Sequence, residues 1–208
     1  LVIWCYMNEI LLRDKHNDDK VKQKEYHKSV YNLAQKLENI IRQEDPSRYT
    51  MHASHGAYTK YKDAGLLDLP MIVGWNIYNG WYGGQFEGFS KFLDRFHADF
   101  PDKITAVTEY GADNDPRIRS DQPIRFDKST EYSTLFHQYY YKAMMERTYV
   151  AVGMTWNLAD FNSESRMETM PHINNKGILT WDRKIKDQYL FYQTQLTDEP
   201  RISILSAG

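Results

Sequence analysis

The chain has 208 residues and a formal net charge of −2 at neutral pH. This length suits one sizeable core better than two full domains, and the weakly acidic balance argues against nucleic acid or an anionic membrane as a partner. The longest apolar runs, such as residues 69–73, are far shorter than the roughly 20 residues that cross a bilayer. A single cysteine, Cys5, excludes an internal disulfide and a cysteine-based zinc site.

The first half of the chain alternates short apolar runs with amphipathic segments. Residues 1–7 form a strand-like run that ends at Asn8-Glu9. Apolar residues at three- and four-residue steps predict a helix over residues 19–44, with an aspartate as its N-cap and the apolar positions on its buried face. Further strands are predicted over residues 49–53 and 71–76, and a Gly-rich loop then leads into a helix around residues 86–96.

The second half continues the same alternation. In order, it predicts a strand over residues 104–108, a polar loop over 114–127, a helix over 129–147, a strand over 150–156, an irregular loop over 162–175 and a helix over 187–195. Strands that alternate with helices indicate parallel β/α units, and uninterrupted apolar runs indicate strands buried on both faces. The predicted fold class is therefore α/β, with the functional site at the carboxyl ends of the strands.

Four predicted strands end in residues that suit one kind of chemistry: Asn8-Glu9, Asn76-Ile77-Tyr78, Glu109-Tyr110 and Trp156-Asn157. Glycoside hydrolysis needs two carboxyl groups, one protonated to donate to the leaving oxygen and one ionised to attack or to activate water. Glu9 and Glu109 each follow a buried strand and would supply that pair. Taken singly, a Glu at a strand end is more often a salt-bridge or cap residue, and a Tyr or Trp there more often packs the core.

Five motifs also occur in a fixed order: Ile3-Trp4-x-x-x-Asn8-Glu9, Asn76-x-Tyr78-x-Gly80-Trp81-Tyr82, Thr108-Glu109-Tyr110-Gly111-Ala112-Asp113, Trp156-Asn157-x-x-Asp160-Phe161 and Asn174-Asn175-Lys176-Gly177-Ile178-x-Thr180-x-Asp182-Arg183-Lys184. In this order and spacing they resemble the catalytic barrel of the family 2 glycoside hydrolases, which include β-galactosidases and β-glucuronidases. The resemblance implies that residues 1–208 form part of a (β/α)8 TIM-type barrel, about strands four to eight, in a larger multidomain glycosidase.

The resemblance implies a role for each matching residue. No cofactor and no metal ligand is predicted. Glu9 would be the general acid/base and Glu109 the nucleophile of a retaining mechanism, with their carboxyl groups about 5–5.5 Å apart. Asn8 would contact the sugar 2-hydroxyl, Tyr78 would hydrogen-bond the nucleophile and Trp156 would lie under the sugar. The other predicted substrate-binding residues are His55, Asn76, Asn174 and Lys176.

The sequence leaves the sugar open. In β-glucuronidases an Asn-x-Lys run at this place binds the sugar carboxylate, and Asn174-x-Lys176 fits that pattern. A similar run also occurs in galactosidase-like members of the family. The long segment after Asn162 carries Arg166 as a further candidate contact to an anion. His52 and His55 follow the second predicted strand, where a structural role competes with a role in lining the pocket. The other histidines in helices and loops, such as His137, are expected at the surface, and no pair has metal-ligand spacing with an acidic partner.

The chain does not begin with Met and opens within a strand-like run, so we expect a piece of a larger protein. Its compartment, cytoplasm or periplasm, is left open. A complete barrel needs about 250 residues and eight strands. A five-stranded piece would expose sheet edges and apolar faces, so we expect it to self-associate through those edges.

The main prediction is a retaining exo-β-glycosidase that hydrolyses terminal β-linked sugars. β-Galactosidase is the first choice of activity, and β-glucuronidase and β-mannosidase are the alternatives. An alternative of another class is a carbohydrate-binding fragment that keeps the motifs without turnover. An endo-acting barrel glycosidase is a further alternative, against which the motif over residues 174–184 favours family 2.

Overall fold

A computed structural model describes residues 2–204. Its parallel five-stranded sheet follows the order of the chain, β1-β2-β3-β4-β5. The strands are β1 (Ile3–Asn8), β2 (Tyr49–His55), β3 (Ile72–Asn76), β4 (Ile104–Glu109) and β5 (Val150–Gly153). In the pairing of β1 with β2, Ile3 lies beside Tyr49, and in that of β2 with β3, Met51 lies beside Ile72. The α/β class predicted for a stretch of barrel is thereby confirmed.

Helices connect the successive strands. They are α1 (Lys20–Glu44), α2 (Tyr58–Asp63) with a 3₁₀ turn (Leu66–Asp68), α3 (Glu87–Asp99) and α4 (Thr130–Met145), and α5 (Asp187–Leu196) follows the last strand. A two-stranded antiparallel pair, β6 (Phe161–Asn162) and β7 (Ile173–Asn174), lies at the ends of the segment predicted to be irregular. Among residues 2–204, no helix is long and apolar enough to cross a membrane.

The longest helix, α1, begins as predicted, but it buries only part of the predicted face. The Asp19 side chain accepts hydrogen bonds from the first-turn backbone N–H groups and so caps the helix. Of the residues predicted on the buried face, three are exposed: Val21, Leu33 and Ile40. Glu38 is buried in their place, because Thr50 Oγ1 donates to its carboxylate at 2.6 Å and Arg42 pairs with it. Pattern analysis misses such a position because it counts a charged residue as solvated.

Strand β5 is shorter than predicted. It ends at Gly153, whereas the apolar run predicted a strand to residue 156. Beyond it, the Trp156 N–H donates to the carbonyl oxygen of Tyr110 at 2.9 Å, a residue that itself lies beyond the end of β4. Trp156 therefore stands in a loop three residues past the strand rather than at its end.

The described chain divides into two compact units. The first comprises residues 2–77, 93–108 and 149–152, and the second comprises residues 78–92, 109–148 and 153–204. In the first unit, every strand of the sheet adds an apolar side chain to one cluster, which includes Ile3, Met51, Ile72, Ala106 and Val152. In the second unit, the core is largely aromatic, with the rings of Phe89 and Phe136 stacked on Tyr140 at centroid distances of 3.8 and 4.2 Å.

His137 lies inside this second core, whereas its place on a helix predicted a surface position. Its Nδ1 is 2.9 Å from the hydroxyl of Tyr192, which is 2.8 Å from the hydroxyl of Tyr110. Burial lowers the pKa of His137 to about 3, and the positive charge of Lys186 acts in the same direction. The His137 imidazole is therefore uncharged and packs within the aromatic core.

We expect His137 to make the protein less stable in acid. Its unfolded pKa is about 6.5, so between that value and the folded pKa of about 3 only the unfolded state takes up the proton. Stability is therefore lost as the pH falls below about 6.5, by about 2 kcal/mol between pH 7 and pH 5. Urea denaturation at both pH values should show that His137→Gln removes this part of the pH dependence. An unchanged dependence in the variant would contradict the assignment.

Candidate active site

Glu9 stands directly after β1, at the carboxyl end of the strand, as predicted. Its backbone φ is 49°, in the left-handed region that few residues other than Gly, Asn and Asp adopt. The Glu9 N–H donates to the carbonyl oxygen of Ala53 in β2 at 2.8 Å, so the neighbouring strand holds the turn. A half-buried carboxylate in such a conformation fits a functional position.

Asn76, at the end of β3, connects the residues around Glu9. Its Nδ2 donates to Oδ1 of Asn8 at 3.1 Å and to Oε1 of Glu9 at 3.0 Å. Its Oδ1 accepts a hydrogen bond from Oγ1 of Thr108 at 2.7 Å. This bond fixes the orientation of the amide, so that Nδ2 is the end that faces Glu9. Because Asn76 is 2% exposed, both ends of its amide are used inside the protein.

The two candidate histidines lie within β2, which extends two residues beyond its predicted end. His52 is buried, with Nε2 at 2.8 Å from the Leu66 carbonyl oxygen and Nδ1 at 3.1 Å from Ser54 Oγ, and burial lowers its pKa. His55 is half-buried, with Nδ1 at 2.8 Å from the Tyr61 hydroxyl. Burial also lowers the pKa of His55, and the nearby Glu9 carboxylate opposes this shift. His52 is therefore a structural residue, and His55 is the histidine that neighbours Glu9.

The second unit joins the loops that carry the other predicted residues. Three backbone hydrogen bonds tie them together: Asn114 to Asn175 (3.0 Å), Trp156 to Tyr110 (2.9 Å) and Asn157 to Lys176 (3.3 Å). Gly111 permits this close approach, because a Cβ at that position would lie 2.2 Å from the Trp156 carbonyl oxygen. Glu109, Trp156 and Lys176 thereby belong to one connected scaffold.

Within this scaffold, Glu109 and Trp156 have defined neighbours. Glu109 is half-buried, and the Tyr78 hydroxyl donates to its Oε2 at 2.8 Å, which is the contact implied by the resemblance. Trp156 is also half-buried, and the peptide bond that joins it to Asn157 is cis. Its ring meets Phe161 edge-on at a centroid distance of 5.9 Å.

Lys176 belongs to a group of charges around a buried carboxylate. Its Nζ bonds to Oδ1 of Asp113, and each of the two residues is at most 2% exposed. Arg166 donates to Oδ2 of Asp113 at 2.8 Å, and Lys128 Nζ lies 3.7 Å from the same oxygen. We refer to these four residues as the Asp113 cluster.

The charges of the Asp113 cluster influence one another. Burial lowers the pKa of Lys128. Burial also acts to lower the pKa of Arg166, but Asp113 and the Tyr82 hydroxyl outweigh it and the net shift is upward. In total, three cationic side chains pair with the one buried carboxylate of Asp113.

Tyrosine side chains link the Asp113 cluster to Glu109. Arg166 donates to the Tyr82 hydroxyl at 3.0 Å, and Lys176 Nζ lies 4.8 Å from the centroid of the Tyr82 ring. The Tyr82 ring contacts that of Tyr78 at 5.1 Å, and Tyr78 donates to Glu109. A group of cations is thus linked to Glu109 through two tyrosines of the same unit, an arrangement that suits an anionic ligand.

A buried ion pair fixes the backbone on both sides of Lys176. Lys186 Nζ is 2.8 Å from Oδ1 of Asp160, and both side chains are inaccessible to solvent. The same Nζ lies 3.3 Å from the Asn175 carbonyl oxygen, and the Gly177 N–H donates to Oδ1 of Asp160 at 2.9 Å. Burial raises the pKa of Asp160 and lowers that of Lys186.

The predicted residues fall into two groups. Asn8, Glu9, His55 and Asn76 lie in the first unit, and Tyr78, Glu109, Trp156, Asn174 and Lys176 lie in the second. The Asn174 side chain accepts a hydrogen bond from the Lys176 N–H at 3.3 Å, so these two predicted residues are in direct contact.

Sequence reasoning missed the partners that hold the predicted residues: Thr108, Asp113, Lys128, Asp160 and Lys186. Asp113 and Asp160 do lie in the quoted motifs, but nothing in their spacing names the lysine that each would meet. Among residues 2–204, no three His, Cys, Asp or Glu side chains are placed to hold a metal ion.

Comparison with known proteins places these features in a family, although no family model matches the chain. The chain is 33% identical over 174 residues to a β-glucuronidase of Bacteroides fragilis, which covers 80% of this chain and 24% of that protein. The crystal structure of a Bacteroides uniformis β-glucuronidase superposes with a TM-score of 0.90 at 39% identity, over 95% of this chain and 24% of that one.

A structure of B. uniformis β-glucuronidase 2 covalently bound to cyclophellitol-6-carboxylate aziridine matches with the same TM-score of 0.90 and identity of 39%. The chain therefore spans about a quarter of the length of the relatives that it matches. The superposition covers 95% of this chain, and its parallel sheet with alternating helices is consistent with part of a barrel. On these grounds the chain belongs to the family 2 glycoside hydrolases.

Proposed function

We propose that the complete protein is a retaining β-glucuronidase that releases terminal β-linked glucuronic acid. The observation that carries this proposal is the Asp113 cluster, which gathers three cations around one buried carboxylate in the unit that also holds Glu109. A uronic acid carries a carboxylate on the sugar ring, and cations that are already fixed in place favour it over a neutral sugar. The relatives named above, which are β-glucuronidases, support the same specificity.

This proposal corrects the first choice made from the sequence, β-galactosidase. The motifs are shared by both activities, and the Asn-x-Lys run does not separate them. The named relatives favour glucuronidase. A galactoside carries a neutral hydroxymethyl group where a glucuronide has a carboxylate, so it would leave the positive excess of the cluster unbalanced.

In the proposed mechanism Glu109 is the nucleophile and Glu9 the acid/base. The Glu109 carboxylate attacks the anomeric carbon while Glu9 gives its proton to the leaving oxygen, which breaks the glycosidic bond and forms a glycosyl ester. Glu9, now ionised, takes a proton from water as the water attacks the anomeric carbon and releases Glu109. Covalent trapping of the B. uniformis enzyme by a carboxylate-bearing aziridine supports a nucleophile of this kind.

The other predicted residues would position these groups or the sugar. Asn76 would orient Glu9 through its amide rather than contact the sugar, because both of its ends are used within the protein. Tyr78 would hold Glu109, and the half-buried Trp156 would provide the platform for the sugar ring. Asn8 and His55 would line the pocket beside Glu9.

Lys176→Gln tests the proposed specificity. On the complete protein, four aryl β-glycosides would be compared: glucuronide, galactoside, glucoside and mannoside. We expect the wild type to prefer the glucuronide, and the variant to lose about 10- to 100-fold in kcat/KM for it, since it removes one of the three fixed positive charges that attract the sugar carboxylate. The kcat/KM for the neutral glycosides should fall much less.

Lys184→Gln is the matched control for that experiment. Lys184 forms an exposed pair with Asp182 and takes no part in the Asp113 cluster, so its substitution should leave the preference unchanged. A wild-type protein that hydrolyses the galactoside or the mannoside best would overturn the proposed specificity.

A further inference from the structure

A chain of hydrogen bonds in the first unit leads from β4 to the side chain of Glu9. Thr108, the last residue but one of β4, donates from Oγ1 to Oδ1 of Asn76 at 2.7 Å. Asn76 donates in turn from Nδ2 to Oε1 of Glu9 at 3.0 Å and to Oδ1 of Asn8 at 3.1 Å. All four residues belong to the first unit, so the chain of bonds is complete within it.

The chemistry of the groups gives these hydrogen bonds one direction. In an amide, the nitrogen only donates and the oxygen only accepts. With Nδ2 toward Glu9, Asn76 satisfies the acceptor oxygens of Glu9 and Asn8, and its own Oδ1 takes the hydroxyl proton of Thr108. A reversed amide would set Oδ1 against those two oxygens. Because Asn76 is 2% and Thr108 8% exposed, the Thr108 hydroxyl, and not bulk water, holds the amide in its orientation.

Packing fixes the Thr108 hydroxyl in its turn. A Cβ added to Gly74 in β3 would lie 2.7 Å from the Thr108 methyl and 3.1 Å from its hydroxyl oxygen, so the glycine makes room for this side chain. A β-branched side chain has few rotamers, and a methyl placed over Gly74 therefore also places the hydroxyl. Gly74 lies beside Ala53 of β2, whose carbonyl oxygen accepts from the Glu9 N–H. The backbone and the side chain of Glu9 are thus both held by neighbouring strands.

The orientation of Asn76 decides which oxygen of Glu9 carries a proton. Oε1 already faces an N–H group of Asn76, so a proton on Oε1 would place a second hydrogen between the same two atoms. The proton of the neutral carboxyl group therefore lies on Oε2. A reversed Asn76 would accept a proton from Oε1 instead and hold it away from the leaving oxygen.

We propose that Thr108 is a positioning residue for the acid step, because its hydroxyl fixes the Asn76 amide and the amide keeps the transferable proton of Glu9 on Oε2. This inference rests on the proposed function, in which Glu9 is the acid/base, and deepens it. As Glu109 attacks the anomeric carbon, the proton passes from Oε2 to the leaving oxygen, which keeps the electron pair of the broken glycosidic bond. The Glu9 carboxylate that results keeps its hydrogen bond from Asn76, which is stronger to a charged acceptor.

Thr108→Val tests this role in the complete protein. Valine has nearly the same shape and keeps a methyl over Gly74, but it lacks the hydroxyl. The kcat/KM values are measured for phenyl β-glucuronide, which has a poor leaving group, and for dinitrophenyl β-glucuronide, whose leaving group departs without a proton. We expect a loss of about 10-fold or more for the phenyl substrate and of less than about 2-fold for the dinitrophenyl substrate, because only the first needs the acid.

Two further variants make the result specific to the hydroxyl of Thr108. Thr108→Ser restores this hydroxyl and should recover most of the lost kcat/KM for the phenyl substrate. Thr105→Val is the matched control, because Thr105 is buried in the same strand and its Oγ1 has no hydrogen-bond partner among residues 2–204. Its substitution should leave both kcat/KM values unchanged.

The outcomes separate this role from the proposed function. If the wild type hydrolyses the glucuronides and Thr108→Val lowers kcat/KM for both by the same factor, Thr108 has a general structural role and the proposal is overturned, while the proposed function stands. Thr108→Ser with the same losses as Thr108→Val would overturn the proposal too, since the hydroxyl would then make no difference. A wild type that hydrolyses neither glucuronide overturns the proposed function, and the role of Thr108 falls with it.

Discussion

Replacing Glu109 by Gln is expected to lower kcat for an aryl β-glucuronide by about 10⁴-fold or more in the complete protein. The glutamine side chain cannot form the glycosyl ester, so the variant cannot follow the two-step mechanism. The substitution is nearly isosteric and keeps a carbonyl oxygen that can accept from Tyr78, which donates to Oε2 of Glu109 at 2.8 Å. The stability of the protein should therefore change little, and the loss in kcat measures the loss of the chemical step. Steady-state rates of release of the aryl alcohol measure it.

Two further variants make this result specific to a nucleophile. Glu109→Gly opens space at the anomeric carbon, and added azide should restore turnover and yield a glycosyl azide of inverted configuration. Glu9→Gln should instead slow substrates with poor leaving groups most, because the acid is needed to protonate the leaving oxygen. If Glu109→Gln keeps wild-type turnover, the nucleophile assignment is wrong. If the wild type binds glucuronide without hydrolysing it, the carbohydrate-binding alternative is correct.

Breaking the ion pair between Asp160 and Lys186 is expected to have the largest effect on stability. Lys186→Met should lower the free energy of unfolding by about 3–5 kcal/mol, because it leaves the Asp160 carboxylate buried without its counter-charge. Both side chains are inaccessible to solvent, so water cannot replace the lost partner. The carbonyl oxygen of Asn175 also loses its contact with Nζ. Urea denaturation followed by tryptophan fluorescence measures the change.

The double variant Asp160→Leu/Lys186→Met shows where the loss comes from. It removes both charges together, so it should be more stable than Lys186→Met alone. It should still be less stable than the wild type, because the Gly177 N–H no longer has its acceptor, and a buried group without a partner costs about 1–3 kcal/mol. As a control, Lys184→Met removes an exposed pair with Asp182 and should leave the stability almost unchanged, because solvent screens such a pair. A loss below about 1 kcal/mol in Lys186→Met would show that the pair contributes little to stability.

The sequence by itself determined the order of elements and the family. The α1 cap at Asp19 and the α4 cap at Ser129 follow from local chemistry, because a side-chain oxygen satisfies N–H groups only two or three residues away. Strand β3 was predicted because residues 71–75 are all apolar or glycine, which is typical of a strand buried on both faces, and its five residues are indeed buried. Three of the motifs mark the carboxyl ends of β1, β3 and β4, so Glu9 and Glu109 were predicted as a pair from their positions at the ends of two strands.

Only the tertiary structure decided which polar residues are buried and with what partners. Lys176 meets Asp113, 63 positions away, and Lys186 meets Asp160, 26 positions away. No periodic pattern encodes such pairs, because a buried charge is stabilised by whatever group the fold brings to it and not by its neighbours in sequence. For the same reason His137 looked like a surface residue, although the aromatic core encloses it. The Asn-x-Lys run in the sequence fits both galactosidase-like proteins and β-glucuronidases. The three cations gathered around Asp113 favour the acidic sugar of the two.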